Sequence, residues 1–276
     1  MKFTTAAILL SATMALALPQ SSAQPAAKSP TSSPAQAATP AAKGIPQAKT
    51  KPEFDAYKAA AAETDPAKSE AAATEFAQKF PDSELRSILF QQAMGLYQQI
   101  NNSGKTLEMA RAALKYEPTN PVALLTAAQL LSERTHNEDL DRNERLAEAS
   151  ADAELALHHT GDIPPPANLT AEQFASAIAQ LRGTAHEVFA TVAFKKLDYP
   201  TAIMEYTAAI AEEKDHTDPV VWLRLAVAYD KNNDYLSGLD AIQKAIDTSD
   251  PGSQIRIVAE QEKARLDELT PIKPAK

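Results

Sequence analysis

The sequence predicts an all-α protein, and three observations support this expectation. Glycine accounts for only 7 of the 276 residues and aromatic residues for only 6%, which argues against an all-β fold with many tight turns. Alanine and leucine dominate, with Glu, Gln and Lys between them, and these residues lose little side-chain entropy in a helix. From Phe54 onward, apolar residues recur at helical spacing with a period of about 34 residues, which is typical of helix–turn–helix units stacked into a solenoid.

Composition also excludes several classes of function. The chain has no cysteine, so disulfides, thiolate zinc sites, a cysteine nucleophile and attachment of a lipid to cysteine are all ruled out. The formal net charge is -9, although residues 1–51 contain five lysines and no acid, so the acidity belongs to the rest of the chain. An acidic body repels phosphate backbones, which argues against nucleic acid as a ligand.

Residues 1–23 resemble a secretory signal. Lys2 is followed by an apolar run from Phe3 to Leu18 and by the small residues Ser21-Ser22-Ala23, and we expect cleavage after Ala23, or else after Ala17. The alternative is an uncleaved anchor, but the run is about sixteen residues and a spanning helix needs about twenty. We therefore expect a periplasmic or secreted protein with no stable membrane insertion after cleavage.

Residues 24–51 are predicted to form a disordered linker. They are rich in Ala, Pro, Ser, Thr, Gln and Lys, contain no aromatic residue, and are interrupted by five prolines that prevent a continuous helix. The lysines of this linker either rest on an anionic surface, such as the cell envelope, or serve solubility alone.

The repeat is clearest near the C-terminus. Trp222, Leu225 and Tyr229 fall at i, i+3 and i+7 of one helix, so they form a single stripe and are expected to be largely buried. Small residues at Ala226 and Gly238 would let this helix and the next approach closely. Pro251 begins a new segment, because proline cannot continue the old helix.

This pattern resembles the tetratricopeptide repeat, with a large residue, a leucine, a small residue and a tyrosine on the first helix and small residues on the second. The resemblance implies a tetratricopeptide-like α-solenoid of antiparallel helix pairs over residues 52–251, with a capping helix and tail at 252–276. The other copies begin at Phe54 (weakly), Phe90, Leu124 and His186.

Two segments depart from the regular period. The charged insertion at 132–146 predicts either a lengthened helix pair or a loop. After the three prolines ending at Pro166, Thr170-Ala-Glu-Gln173 predicts a capping box that opens a helix running to Leu197. That helix is either about twice the usual length or broken near Gly183.

No catalytic constellation is present in the sequence, so we expect neither an enzyme nor a cofactor. His186-Glu187 lacks the second histidine of a metalloprotease helix. His158-His159 is a conceivable metal pair, but neighbours on a helix point about 100° apart, so a surface pair is favoured and no metal site is predicted.

The resemblance implies that the first helices line a concave face that binds an extended peptide or a helix. The Lys and Asn set with which family members clamp a terminal carboxylate is absent here. A merely solvated face is the alternative interpretation. The residues of this face selected as partner-binding candidates are Gln91, Gln98, Thr126, Gln129, Glu133, Glu187, Thr191, Lys195, Arg224 and Lys231.

The sequence therefore predicts a non-enzymatic scaffold of the periplasm or cell envelope that binds a protein or peptide. The alternative is a structural subunit of an envelope assembly or secretion complex that has no exchangeable ligand.

Overall fold

The computed structural model describes residues 46–166 and 168–270, and within them the chain is helical with no strand. The predicted signal at 1–23, the linker as far as residue 45 and the tail from 271 lie outside the described residues. The helices are α1 (Lys51–Ala61), α2 (Pro66–Lys79), α3 (Leu85–Gln99), α4 (Ser103–Tyr116), α5 (Pro121–Arg134), α6 (Arg142–His159), α7 (Ala171–Lys195), α8 (Tyr199–Glu213), α9 (Pro219–Lys231), α10 (Tyr235–Thr248) and α11 (Gln254–Leu269).

Polar caps set where most helices begin. Thr50 accepts a hydrogen bond from the backbone N–H of Glu53, and Ser253 does the same for Arg256. Proline occupies the first or second position of several helices, where its missing N–H has no intrahelical partner to lose. The capping box predicted at Thr170 and Gln173 is confirmed, since each side chain bonds the other residue's backbone N–H.

Helices pack as consecutive pairs, which confirms the predicted all-α array. Here α1, α3, α5, α7 and α9 are called first helices, and α2, α4, α6, α8 and α10 second helices. Each first helix packs against the second helix that follows it. Two neighbouring pairs of first helices, α1 with α3 and α5 with α7, also contact each other directly, whereas no two second helices of the described chain make contacts of that extent. We call the surface formed by the first helices the inner face.

One turn geometry recurs in three of the pairs and marks them as structural repeats. The turns after α3, α7 and α9 each contain a residue in the left-handed region, with φ of 56°, 65° and 62°. The next backbone N–H then bonds back to a carbonyl of the first helix at 2.9–3.0 Å. Those carbonyls belong to Tyr97, Ala193 and Tyr229, the positions that the sequence pattern aligns.

The core is built mainly from alanine, which brings the helices close together. Ala226 and Ala245 are fully buried, and a Cβ on Gly238 would lie 3.4 Å from the Ala226 carbonyl oxygen. The close approach predicted at Ala226 and Gly238 is therefore confirmed. Leu225 is buried, and Trp222 and Tyr229 are intermediate in exposure and pack against the same core, in agreement with the stripe predicted for this helix.

The structure distinguishes the alternatives for the insertion at 132–146 and for the helix that contains Gly183. The insertion contains a loop at 135–141 between α5 and α6, in which Leu140 is fully exposed. Helix α7 is continuous over 25 residues and passes through Gly183 unbroken. At the C-terminal end, α11 packs on α9 and α10 through the buried residues Ala259 and Leu266, as the predicted capping helix requires. No helix in the described part of the chain combines the length and apolar character needed to cross a membrane.

Candidate partner-binding face

All ten candidate residues lie on first helices, distributed over α3, α5, α7 and α9. The fold thus places them on the helices of the inner face, but it does not leave them equally accessible, since Thr126 is buried. Towards the C-terminal half, the charged candidates are tied to one another. Towards the N-terminal half, amide side chains predominate.

Arg224 of α9 is shared between two carboxylates from other helices. Its guanidinium donates to Glu133 of α5 at 2.8 Å and lies 3.4 Å from Glu187 of α7. The three side chains are only 16–26% exposed, so water screens these interactions weakly. Arg224 therefore connects three successive first helices, across 91 and 37 residues of sequence.

Glu187 carries an unusual proton affinity. Desolvation raises its pKa to about 8; nearby Arg224 opposes the rise, whereas Glu213 and Glu133 add to it. Because Glu133 is closer to Arg224 than Glu187 is, the guanidinium is largely neutralised by Glu133. Burial therefore favours the neutral form of Glu187 over the ionised form.

Glu213 of α8 extends this acidic region, and the sequence analysis did not single it out. Its carboxylate lies against Gly183, where an added Cβ would come within 2.5 Å of a carboxylate oxygen. Desolvation, together with the charge of Asp218, raises the pKa of Glu213 to about 7. An isolated glycine within a helical pattern indicates that another group approaches the helix closely at that position. Gly183 was therefore the sequence feature that could have identified the contact with Glu213.

Lys195 at the end of α7 caps the end of α5. Its ammonium donates to the carbonyls of Glu133 and Thr135 at 2.9 and 2.5 Å, which are otherwise orphan acceptors at a helix C-terminus. In return, Arg142 of α6 donates to the carbonyl of Lys195 itself. Desolvation lowers the pKa of Lys195, although Glu133 opposes this shift. We call Glu133, Glu187, Lys195 and Arg224 the ionic cluster.

The two threonine candidates are also bonded within the chain. Thr126 donates to the carbonyl of Val122 one turn earlier, and Thr191 shares a hydrogen bond of 3.3 Å with the hydroxyl of Tyr206. Lys231 is more exposed: its ammonium lies 3.7 Å from Asp230, which is paired more closely with Arg265 of α11 at 2.8 Å.

The glutamines present a different arrangement. Gln92, a neighbour of the candidates, donates to the carbonyls of Ala61 and Glu63 and so caps the end of α1. Gln91 has a long contact of 3.5 Å to Ser87. The side-chain amides of Gln98 and Gln129 are partly exposed and have no hydrogen-bond partner within the described residues. We call Gln91, Gln98 and Gln129 the amide residues.

The histidines lie apart from this face or pair locally. His159 bonds Asp162 at 2.6 Å, while its neighbour His158 is exposed. His186 bonds Glu205 of α8 at 2.7 Å. In residues 46–166 and 168–270, no group of three or more His, Asp or Glu side chains is arranged to hold a metal ion.

Comparison with known proteins adds no assignment. No protein-family model matches the chain, and no similar protein is found among curated ones.

Proposed function

We propose that this chain is an exported scaffold of the tetratricopeptide type that binds an extended protein or peptide segment on its inner face, without a catalytic step. The signal-like residues 1–23 support export. The aligned motifs and the recurring turn geometry support the tetratricopeptide type. The periplasm or cell envelope is the compartment that such a signal implies.

The observation that carries the binding proposal is the free hydrogen-bonding capacity of Gln98 and Gln129. A primary amide both donates and accepts, so it matches the paired N–H and C=O groups of an extended peptide backbone. Such contacts are tolerant of sequence, because every residue of the ligand offers the same backbone groups. The amide residues are therefore the part of the inner face best suited to a partner.

The ionic cluster contributes less to binding than its charges suggest. Arg224 and Lys195 already interact with Glu133, with Glu187 or with helix-end carbonyls, so recruiting them to a ligand would break those contacts. Among the basic candidates, Lys231, whose side chain is 53% exposed, is then the one that can attract an acidic segment of a partner. That attraction is local and weakened by salt.

Affinity capture from an envelope extract tests the proposal. The bait carries Gln98→Ala and Gln129→Ala, and the matched control carries Gln261→Ala on the exposed surface of α11. We expect the double variant to lose the captured partner and the control to retain it. Loss from both variants, or from neither, would contradict binding by the amide residues.

A second measurement distinguishes the structural alternative. If the partner is an exchangeable ligand, unlabelled protein added after capture displaces the labelled bait within the dissociation time of the complex. Capture that resists displacement and requires the whole array would instead support a permanent subunit of an envelope assembly.

A further inference from the structure

A groove lies on the opposite side of the array from the inner face, between the second helices α6 and α8. Side chains of α6 and α8 form its two walls. Ser150, Glu154 and Leu157 of α6 fall at i, i+4 and i+7. Asp198, which caps α8, and Thr201 and Glu205 of α8 fall at i, i+3 and i+7. Both spacings place each set on one side of its helix, so the two walls face each other.

The floor of the groove is formed by α7 and is apolar. Phe189, Val192 and Ala193 contribute it, and Leu157 extends it along the wall of α6. The open groove has a volume of about 480 Å³, enough for two or three side chains of a peptide. Because α6 and α8 do not pack closely against each other, a space is left between them above the C-terminal part of α7.

Acidic groups dominate the walls. Glu154, Asp198 and Glu205 line the groove against a single cation, Lys196. Glu205 is held by the imidazole of His186, and Asp198 uses one carboxylate oxygen to cap α8. Glu154 is exposed and has no hydrogen-bond or ion-pair partner among the described residues. The groove thus combines an apolar floor with a free carboxylate and an excess of negative charge.

We propose that this groove binds a peptide segment in which a lysine or arginine lies next to an aliphatic residue. The aliphatic side chain packs on Leu157, Phe189 and Val192, and the basic side chain extends along the floor to reach Glu154. Such a ligand satisfies both features at once, because the methylene stem of a basic residue covers apolar surface while its charged end reaches a carboxylate. This site is separate from the amide residues and does not depend on them.

The test uses a fluorescent peptide, Ala-Lys-Leu-Lys-Ala, and its acidic counterpart, Ala-Glu-Leu-Glu-Ala, titrated with the whole protein at low salt. We expect only the basic peptide to bind, with a dissociation constant on the order of 100 µM. Glu154→Lys should weaken binding about tenfold. Asp240→Lys, an exposed position on α10 with the same change of charge, should leave it within about twofold.

Chemical-shift mapping with the same peptide locates the site. Shifts of the Leu157 and Val192 methyl groups and of the Phe189 ring would support the proposal. Shifts confined to the amide residues would overturn it and transfer the binding to the inner face. Equal weakening by Glu154→Lys and Asp240→Lys, binding of both peptides alike, or absence of binding would also overturn it. Each of these results leaves the test of the inner face with Gln98→Ala and Gln129→Ala unaffected.

Discussion

The two halves of the inner face use polar residues in opposite ways. In the C-terminal half, the ionic cluster joins α5, α7 and α9 through contacts that span 37 to 91 residues of sequence. In the N-terminal half, Gln98 and Gln129 contribute no side-chain hydrogen bond to the fold within the described residues. A charge that is partly buried must be paired, because leaving it unpaired is costly, whereas a partly exposed amide can remain bonded to water. Charged residues of a repeat face are therefore poor indicators of a ligand site when they lie close to one another.

Removing the shared guanidinium is expected to have the largest effect. Arg224→Ala leaves the Glu133 carboxylate without its counter-charge, and we expect a loss of about 3 kcal/mol in the free energy of unfolding, at the low end for a broken buried pair because the site is partly exposed. Denaturant unfolding measures it. The control is Arg182→Ala on the exposed surface of α7, which should change stability by less than about 0.5 kcal/mol. Equal losses of stability from Arg224→Ala and Arg182→Ala would show that the ionic cluster does not stabilise the C-terminal half of the inner face.

The caps that join neighbouring first helices allow a direct comparison of the halves. Lys195 caps α5, and Gln92 caps α1 in the same manner. A charged donor is stronger than a neutral one, so we expect Lys195→Met to cost about 2 kcal/mol and Gln92→Leu about 1 kcal/mol. Thermal unfolding of the two variants gives the order. A larger loss of stability from Gln92→Leu than from Lys195→Met would contradict the expectation that the charged cap stabilises the fold more than the neutral one.

The raised pKa of Glu187 predicts how stability depends on pH. A carboxyl whose pKa is higher in the folded state binds its proton more tightly there, so its contribution is complete below the unfolded value of 4.5 and is lost as pH rises towards 8. We expect a decline of about 3 kcal/mol between pH 5 and pH 8, because each pH unit between the unfolded and folded pKa values changes the contribution by about 1.4 kcal/mol.

Glu187→Gln imitates the protonated form and should flatten this decline. Glu213, with a pKa raised to about 7, contributes in the same direction and should leave a residual slope. Glu172→Gln, at the exposed start of α7, is the matched control and should retain the full slope. A slope unchanged by Glu187→Gln would show that this carboxyl is ionised throughout the range.

The amide residues should show the smallest effect on stability. Gln98→Ala and Gln129→Ala remove no internal hydrogen bond, so the free energy of unfolding should stay within about 0.5 kcal/mol of the parent protein. Calorimetry of the double variant, before it is used in the capture experiment, measures this. A larger loss would mean that these amides hold the fold, and it would remove the reason for assigning them to a partner.

Much of the helical architecture could be read from the sequence, because its signals are local. Prolines and polar caps mark where helices begin, the capping box at Thr170 and Gln173 is formed by residues three apart, and the i, i+3, i+7 stripe of α9 identified Leu225 as a core residue. The recurring turns after α3, α7 and α9 coincide with aligned motif positions for the same reason. Local hydrogen bonds and helical periodicity depend on near neighbours in the chain.

Only the tertiary structure decided which polar residues of the inner face are free. Sequence placed all ten candidates on first helices, but no local pattern shows that Arg224 lies between Glu133 and Glu187 or that Lys195 reaches the end of α5. The groove between α6 and α8 likewise depends on both helices packing against α7 and not against each other. The distance between two helices and the partner of each charged side chain are set by residues tens of positions apart in the chain. They are properties of the assembled array, and the local sequence pattern does not contain them.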